Sequence, residues 1–253
     1  MCRFVAYTGP SVTLEELLVA PPHALLRQAW EPRQQVSGVV NADGFGVGWY
    51  DLARRPGPAL YRSTLPMWAD RSFLSLAGLV ASGSVLAAVR SATPPLPTEV
   101  TATPPYADGP WLFAHNGAVA GFRDGAAARL RRTLSERRES GIAGPTDSEV
   151  LFAMVLDRLD AGAAPADALA ATVAVVAEAV RGPHRLNLVL TDGQRVAATA
   201  CGDSLWARAG DGAAVVASEP FDDDPAWAPV PDASVVELEA VGGSGGGFRR
   251  SAL

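Results

Sequence analysis

The sequence predicts an α+β fold of two antiparallel sheets layered with helices. Three observations carry that expectation. Short strand patterns gather toward both ends, helical spacing fills the middle, and the strict β-α alternation of a doubly wound parallel sheet is absent. Asp192-Gly193 and Asp211-Gly212 fall between apolar runs, where such pairs signal tight antiparallel hairpins. With 253 residues, 48% of them apolar, the chain can bury one substantial core. One domain is therefore expected over residues 2–240, followed by a flexible Gly/Ser-rich tail over 241–253.

Taken in order, Arg3 to Tyr7 alternates as a strand and stops at Gly9-Pro10. Thr13 to Val19 and Ala24 to Trp30 have helical spacing, separated by Pro21-Pro22. Phe45 to Asp51 and Ala59 to Ser63 are strands joined through Arg55-Pro56-Gly57-Pro58. Ser72 to Ala81 repeats its apolar residues as a helix does. Val85 to Arg90 is a buried strand running into a proline-rich loop, Pro94 to Pro105, and Trp111 to His115 is another strand. Three helices follow: Arg123 to Arg138, Ser148 to Leu159 with Asp147 as its capping acid, and Pro165 to Val180. The rest is strands: Leu186 to Thr191, Arg195 to Ala200, Leu205 to Arg208, Ala214 to Ser218 and Ser234 to Glu239.

Composition removes whole chemistries. All 21 basic residues are arginine, so there is no Schiff-base lysine, no pyridoxal phosphate anchor and no Walker lysine. Cys2 and Cys201 are too few for a disulfide framework or a multi-cysteine zinc site, and His23, His115 and His184 lack metal-ligand spacing. Asp222-Asp223-Asp224 reads as a solvated loop, so neither metal nor cofactor is expected. The net charge of −6 and short arginine runs interleaved with acids disfavour nucleic acid and anionic membranes as partners. No apolar run reaches the roughly 20 residues that span a bilayer, and no secretory leader is evident, so a cytoplasmic location is expected.

Four segments can carry chemistry. Removal of Met1 would leave Cys2 as the first residue, with a thiol and an α-amine of pKa about 7.7–8.0 to take its proton. Read alone, Cys2 is more readily a small apolar residue opening a strand. Arg90, closing a buried apolar strand, needs an anion, whether a ligand carboxylate or an internal acid. Asn116-Gly117 is either a hairpin turn or a pair of donors for a developing oxyanion. His115 beside them reads as structural. Gly44-Phe45-Gly46-Val47-Gly48 fails the dinucleotide pattern and suits close backbone approach.

Together the order and spacing of Met1-Cys2-Arg3, Arg90-Ser91-Ala92-Thr93, His115-Asn116-Gly117, Thr146-Asp147-Ser148-Glu149-Val150 and Ala217-Ser218-Glu219-Pro220 resemble the class II glutamine amidotransferases, within the N-terminal-nucleophile hydrolases. Pro21-Pro22-His23, Asn41 to Gly48, Ala102 to Tyr106, Trp111 to Gly117 and Ser218 to Asp224 bring it nearer the γ-glutamyl amidohydrolases of ergothioneine biosynthesis. The resemblance spans about residues 1–238. It implies an αββα sandwich, Cys2 as nucleophile and an oxyanion hole of Asn116 and Gly117. It further implies Arg90 for the α-carboxylate and Asp147 for the α-ammonium of a glutamyl group. The implied reaction hydrolyses γ-glutamyl-hercynylcysteine S-oxide to glutamate and hercynylcysteine S-oxide, without a cofactor. The alternative is a stand-alone glutaminase subunit of a two-protein amidotransferase. Where the amidotransferases have Arg-Trp-Ala-Thr-His-Gly, this chain has Ser91 for the tryptophan and Pro94 for the histidine, which speaks against free glutamine. The leaving group's trimethylammonium favours aromatic faces, with Trp30, Trp68, Tyr106 and Trp111 as candidates.

Overall fold

A computed structural model describes residues 2–35, 38–92, 99–239 and 247–253. Seven antiparallel strands form the first sheet, in the spatial order Ala228–Pro229 (β11), Trp206–Gly210 (β9), Ala213–Ala217 (β10), Arg3–Thr13 (β1), Ala81–Val89 (β4), Phe45–Trp49 (β2) and Ala59–Ser63 (β3). Six form the second: Gly247–Ala252 (β13), Ser234–Glu239 (β12), Arg195–Ala200 (β8), Arg185–Thr191 (β7), Trp111–Ala118 (β6) and Tyr106–Asp108 (β5).

Strand alternation turns these sheets into four layers. In β1, Phe4 and Ala6 enter a core shared with Leu112 and Ala114 of β6, Val189 of β7 and Ala198 of β8, so this face lies between the sheets. Val5 and Tyr7 point the other way, onto Leu14 and Leu17 of helix α1 (Leu14–Leu18), Leu25 of α2 (Leu25–Gln28) and Phe73 of α3 (Arg71–Ala77). The outer face of the second sheet packs Phe113, Leu186, Leu188 and Leu190 against α6 (Asp147–Asp160) and α7 (Pro165–Ala179). Phe113 stacks on Phe152 with ring centroids 5.0 Å apart. The expected αββα sandwich is thus present, with a separate apolar core at each of its three interfaces.

Several local expectations are corrected. The strand that opens the chain does not stop at Gly9-Pro10: it continues to Thr13, its pairing with β4 shifting register between Thr8 and Val12. The single helix over Arg123 to Arg138 is broken into a π-turn at Phe122–Ala126, α4 (Ala127–Arg131) and α5 (Glu136–Ser140). Gly125 leaves the helical region at φ 98°, and Ser135 starts a new helix by accepting from the Arg138 N–H. Arg138 is not on a solvated face. It is 9% exposed, forked onto both Asp160 oxygens at 2.7 and 2.8 Å, and bonded to Asp108 at 2.9 Å. The tail expected over 241–253 is ordered at its far end, where β13 pairs with β12 and half-buried Phe248 joins the inter-sheet core. The first part of that tail lies outside the described residues, as does Pro94.

The glycines of β2 do permit close approach. A Cβ on Gly46 would strike the Pro104 carbonyl oxygen, and one on Gly48 the Leu112 side chain across the sandwich. Because the Gly46 neighbour is backbone, Gly46→Ala is expected to cost about 1–3 kcal/mol of stability, read as a lowered urea midpoint.

Candidate active site

The site grows from the start of β1. This strand is central in its sheet, flanked by β10 and β4, and Arg3 pairs with Val89. Cys2 therefore lies beside Arg90, the residue just after β4. Both face a cavity of about 270 Å³, whose wall also includes Tyr106, Gly117, Phe122 and Asp147.

Arg90 is 4% exposed and held from two sides. Its N–H donates to the Gly44 carbonyl at 2.8 Å and its guanidinium to the Asp43 carbonyl at 3.4 Å. The Asp43 carboxylate in turn accepts from the Ala92 N–H at 2.7 Å, bracing the chain just beyond. The arginine is thus fixed in the cavity wall by backbone bonds on both of its neighbours' sides.

Asn116 and Gly117 are not a hairpin. β6 runs straight through them, Asn116 opposite Asn187 and Gly117 opposite Leu186 of β7. Asn116 is fully buried, and neither atom of its carboxamide has a hydrogen-bond partner among the described residues. Gly117 has φ +152°, and a Cβ there would collide with the Arg185 carbonyl. Local turn statistics favoured a reversal, but pairing with β7 overrides them.

Asp147 is brought to the same cavity by the first turn of α6. It is not the cap as expected: Thr146 is, in a capping box with Glu149, and Asp147 is the first helical residue. Its carboxylate accepts from the Val119 N–H at 3.0 Å and the Ser148 N–H at 2.8 Å, which ties the helix to the end of β6. His115 makes a second tie. Its Nε2–H donates to the Arg185 carbonyl at 3.0 Å, leaving Nδ1 to accept from the Ser148 hydroxyl at 3.0 Å. The structural reading of His115 agrees with this geometry.

Burial pushes the Cys2 thiol above its ordinary pKa, opposed by the amino-terminal charge, a backbone bond at Ser91 and the Arg90 charge. Burial likewise raises Tyr106, whose hydroxyl bonds the Ala102 carbonyl at 3.2 Å and lies 3.4 Å from Thr146 Oγ1. Cys201 is pushed up too, by burial and then by Asp232, as expected of a structural thiol.

Of the four aromatic candidates, only Tyr106 lines this cavity. Trp30 and Trp68 pack edge to face on each other, and Trp111 lines a different cleft beside Arg195. Phe122, which sequence reasoning passed over just before the expected helix at Arg123, joins Tyr106 in the wall. Glu219, quoted within a motif but given no role, is buried with Arg3 at 3.5 Å and His23 at 3.4 Å. The signal was present, since Arg3 and Glu219 are charges at the ends of apolar strands, as Arg90 is. Asp222 and Asp224 are both engaged by Arg208, at 2.7 and 3.1 Å.

His115→Ala leaves the Arg185 carbonyl and the Ser148 hydroxyl without their partner. It is expected to cost about 1–3 kcal/mol in urea unfolding, and Ser148→Ala, which deletes one of the two bonds, about 1 kcal/mol.

Residues 25–209 match the class II glutamine amidotransferases. A gamma-glutamyl-hercynylcysteine sulfoxide hydrolase of Mycolicibacterium smegmatis is 40% identical over 241 residues, 94% of this chain and 96% of the relative. A solved class II domain protein of Silicibacter pomeroyi superposes with a TM-score of 0.70 at 28% identity, covering 98% of both chains. The glutamine phosphoribosylpyrophosphate amidotransferase of B. subtilis shares the fold, with a TM-score of 0.66 at 15% identity over 99% of this chain and 49% of its own. With its nucleophile-type fold and full-length likeness, this chain belongs to the class II glutamine amidotransferases.

Proposed function

We propose that the chain hydrolyses the γ-glutamyl amide of γ-glutamyl-hercynylcysteine S-oxide, releasing glutamate and hercynylcysteine S-oxide. The observation that carries this reading is the gathering of Cys2, Arg90, Gly117 and Asp147 around one cavity, with Asn116 buried beside Gly117 on β6. The 40% identical hydrolase named for that substrate supports the choice of leaving group.

Met1 is removed and the Cys2 amine becomes the base. It takes the thiol proton, and the thiolate attacks the γ-carbonyl carbon. The oxyanion that forms is met by the Asn116 amide and the Gly117 N–H, donors worth about 3–4 kcal/mol each in sites of this kind. The C–N bond then breaks as the Cys2 ammonium protonates the leaving amine, leaving a thioester. The same amine deprotonates water, whose oxygen attacks the thioester and frees glutamate. Arg90 holds the substrate's α-carboxylate through charge-assisted bonds and Asp147 its α-ammonium. Mutual placement is specific to an L-γ-glutamyl unit, because it pairs one cation and one anion at fixed positions. The free Cys2 thiol that the mechanism needs is kept reduced in the cytoplasm, the location we infer. No helix among the described residues is long and apolar enough to cross a membrane.

Two outcomes are expected. Intact mass lacks Met1, and across a panel of γ-glutamyl amides glutamate is released by the native protein but not by Cys2→Ala. Retained Met1, or equal turnover by both proteins, refutes the nucleophile. Free glutamine turning over faster than the betaine substrate refutes the leaving group. Asn116→Ala lowers kcat by about 100- to 1,000-fold with little change in KM, since the amide acts on the transition state.

A further inference from the structure

A buried acid that the mechanism above does not use lies in the turn after β8, tied to β7 through Asn187 and to β1 through Ser204 and Ser218. Asp203 follows β8, and its side chain has 0% exposure. Neither carboxylate oxygen has a hydrogen-bond donor among the described residues. Its closest ion pair is Arg185 Nε at 3.4 Å, on a side chain that is 36% exposed.

The turn that carries Asp203 is anchored on both sides. Asn187, directly opposite Asn116, donates its amide to the Asp203 and Ser204 carbonyls at 3.0 and 3.1 Å. On the other side the Ser204 hydroxyl donates to the Ser218 carbonyl at 2.8 Å. Ser218 then grips the beginning of β1, its Oγ accepting from the Phe4 N–H at 3.0 Å and its N–H donating to the Phe4 carbonyl at 3.0 Å. Gly202 sets the turn, with φ +86° and no room for a Cβ against the His184 carbonyl at 2.8 Å. Few bonds thus separate the Asp203 carboxylate from the amino end of β1 and from Asn116.

Burial raises the Asp203 carboxyl, and the nearby charges of Arg185 and then Arg3 act in the opposite direction. A carboxylate taken out of water without donors is costly unless a cation completes it. Arg3, itself fully buried, makes no guanidinium hydrogen bond among the described residues and pairs with Glu219 at 3.5 Å.

We propose that Asp203 is a positioning residue whose carboxylate receives the α-ammonium of Cys2 and so orients the catalytic base. This rests on the amino-terminal nucleophile proposed above. Each half-reaction converts the amine to ammonium by one proton, first from the thiol and then from water. Asp203 stabilises that charged form without exchanging a proton itself. Arg3 and Arg185 keep the carboxylate ionised while limiting how far it raises the amine's pKa.

The missing lysine makes the test direct, since the α-amine is the chain's one primary amine. Its pKa is read from the pH dependence of acylation by acetic anhydride in Cys2→Ala protein, where no thiol at position 2 competes. Adding Asp203→Asn removes the ammonium's counter-ion and is expected to lower that pKa by about one to three units. In protein with Cys2 intact, Asp203→Asn moves the acid limb of kcat/KM to lower pH by the same amount and lowers kcat by about tenfold or more. Arg185→Gln removes an opposing cation and shifts both readouts upward. It keeps the proposal falsifiable if Asp203→Asn does not fold. An amine pKa and acid limb unmoved in these variants overturn the Asp203 assignment, even where kcat falls, because a merely structural loss moves neither. Turnover by Cys2→Ala, or retained Met1, would instead overturn the nucleophile reading beneath it.

Discussion

Glu219 is where separate parts of the chain are made to meet. One carboxylate, 1% exposed, faces the Arg3 guanidinium at 3.5 Å and His23 at 3.4 Å. It also accepts the N–H groups of Arg33 and Gln34 at 2.8 and 3.0 Å. Burial alone would raise its pKa, but His23, Arg3 and the Arg33 N–H outweigh burial and hold it below the usual carboxylate range. It therefore stays charged, and a buried charge with four partners cannot drift. What it fixes is the first turn of chain in a central strand. Cys2, its distance from Arg90 and its approach to β6 all follow from where Arg3 is pinned.

The site carries a cost that its surroundings absorb. A buried carboxamide with no partner, as at Asn116, is worth a stability loss of about 1–3 kcal/mol in ordinary folding terms. The strands around it are tied unusually well in compensation: Asp147 to Val119, His115 to Arg185 and Ser148, Asn187 to Asp203 and Ser204. A carboxamide kept idle among strands held in place by such bonds is what a preorganised anion site requires. All three histidines are absorbed in such ties. His184 bridges the Val180 carbonyl at 2.7 Å and the Ala120 N–H at 3.2 Å.

Alternation and hairpin signals made both sheets legible in the sequence, because each strand buries its two faces in different cores. The four-layer arrangement came from family likeness rather than from periodicity. Illegible were features decided by a distant partner. Asn116-Gly117 has the composition of a turn and is a strand because β7 lies beside it. β5 and β11 are too short to have a period, and exist through β6 and β9. Arg123 to Arg138 has helical composition, but one glycine at φ 98° breaks it. Within the site, Arg90 was legible as a charge closing an apolar strand, whereas Cys2 read alone as a small apolar residue and Asp147 as a capping acid, and their expected roles came from the family resemblance. Phe122 and Asp203 gave no signal, since an aromatic at the entry of a helix-like run and an acid beside a glycine in a turn have ordinary reasons to be there.

β13 closes the second sheet on one side, and its consequence concerns the protein in a crowded solution. Without it β12 would be an edge, offering a row of open backbone groups beside buried Val235, Val236 and Leu238. Such an edge is a template for pairing with a second chain. β13 takes that position, setting Arg249 opposite Glu237 and exposed Arg250 opposite Val236. The row of backbone groups that β12 would offer to a second chain is thus paired within the molecule, and a charged strand stands at the new edge.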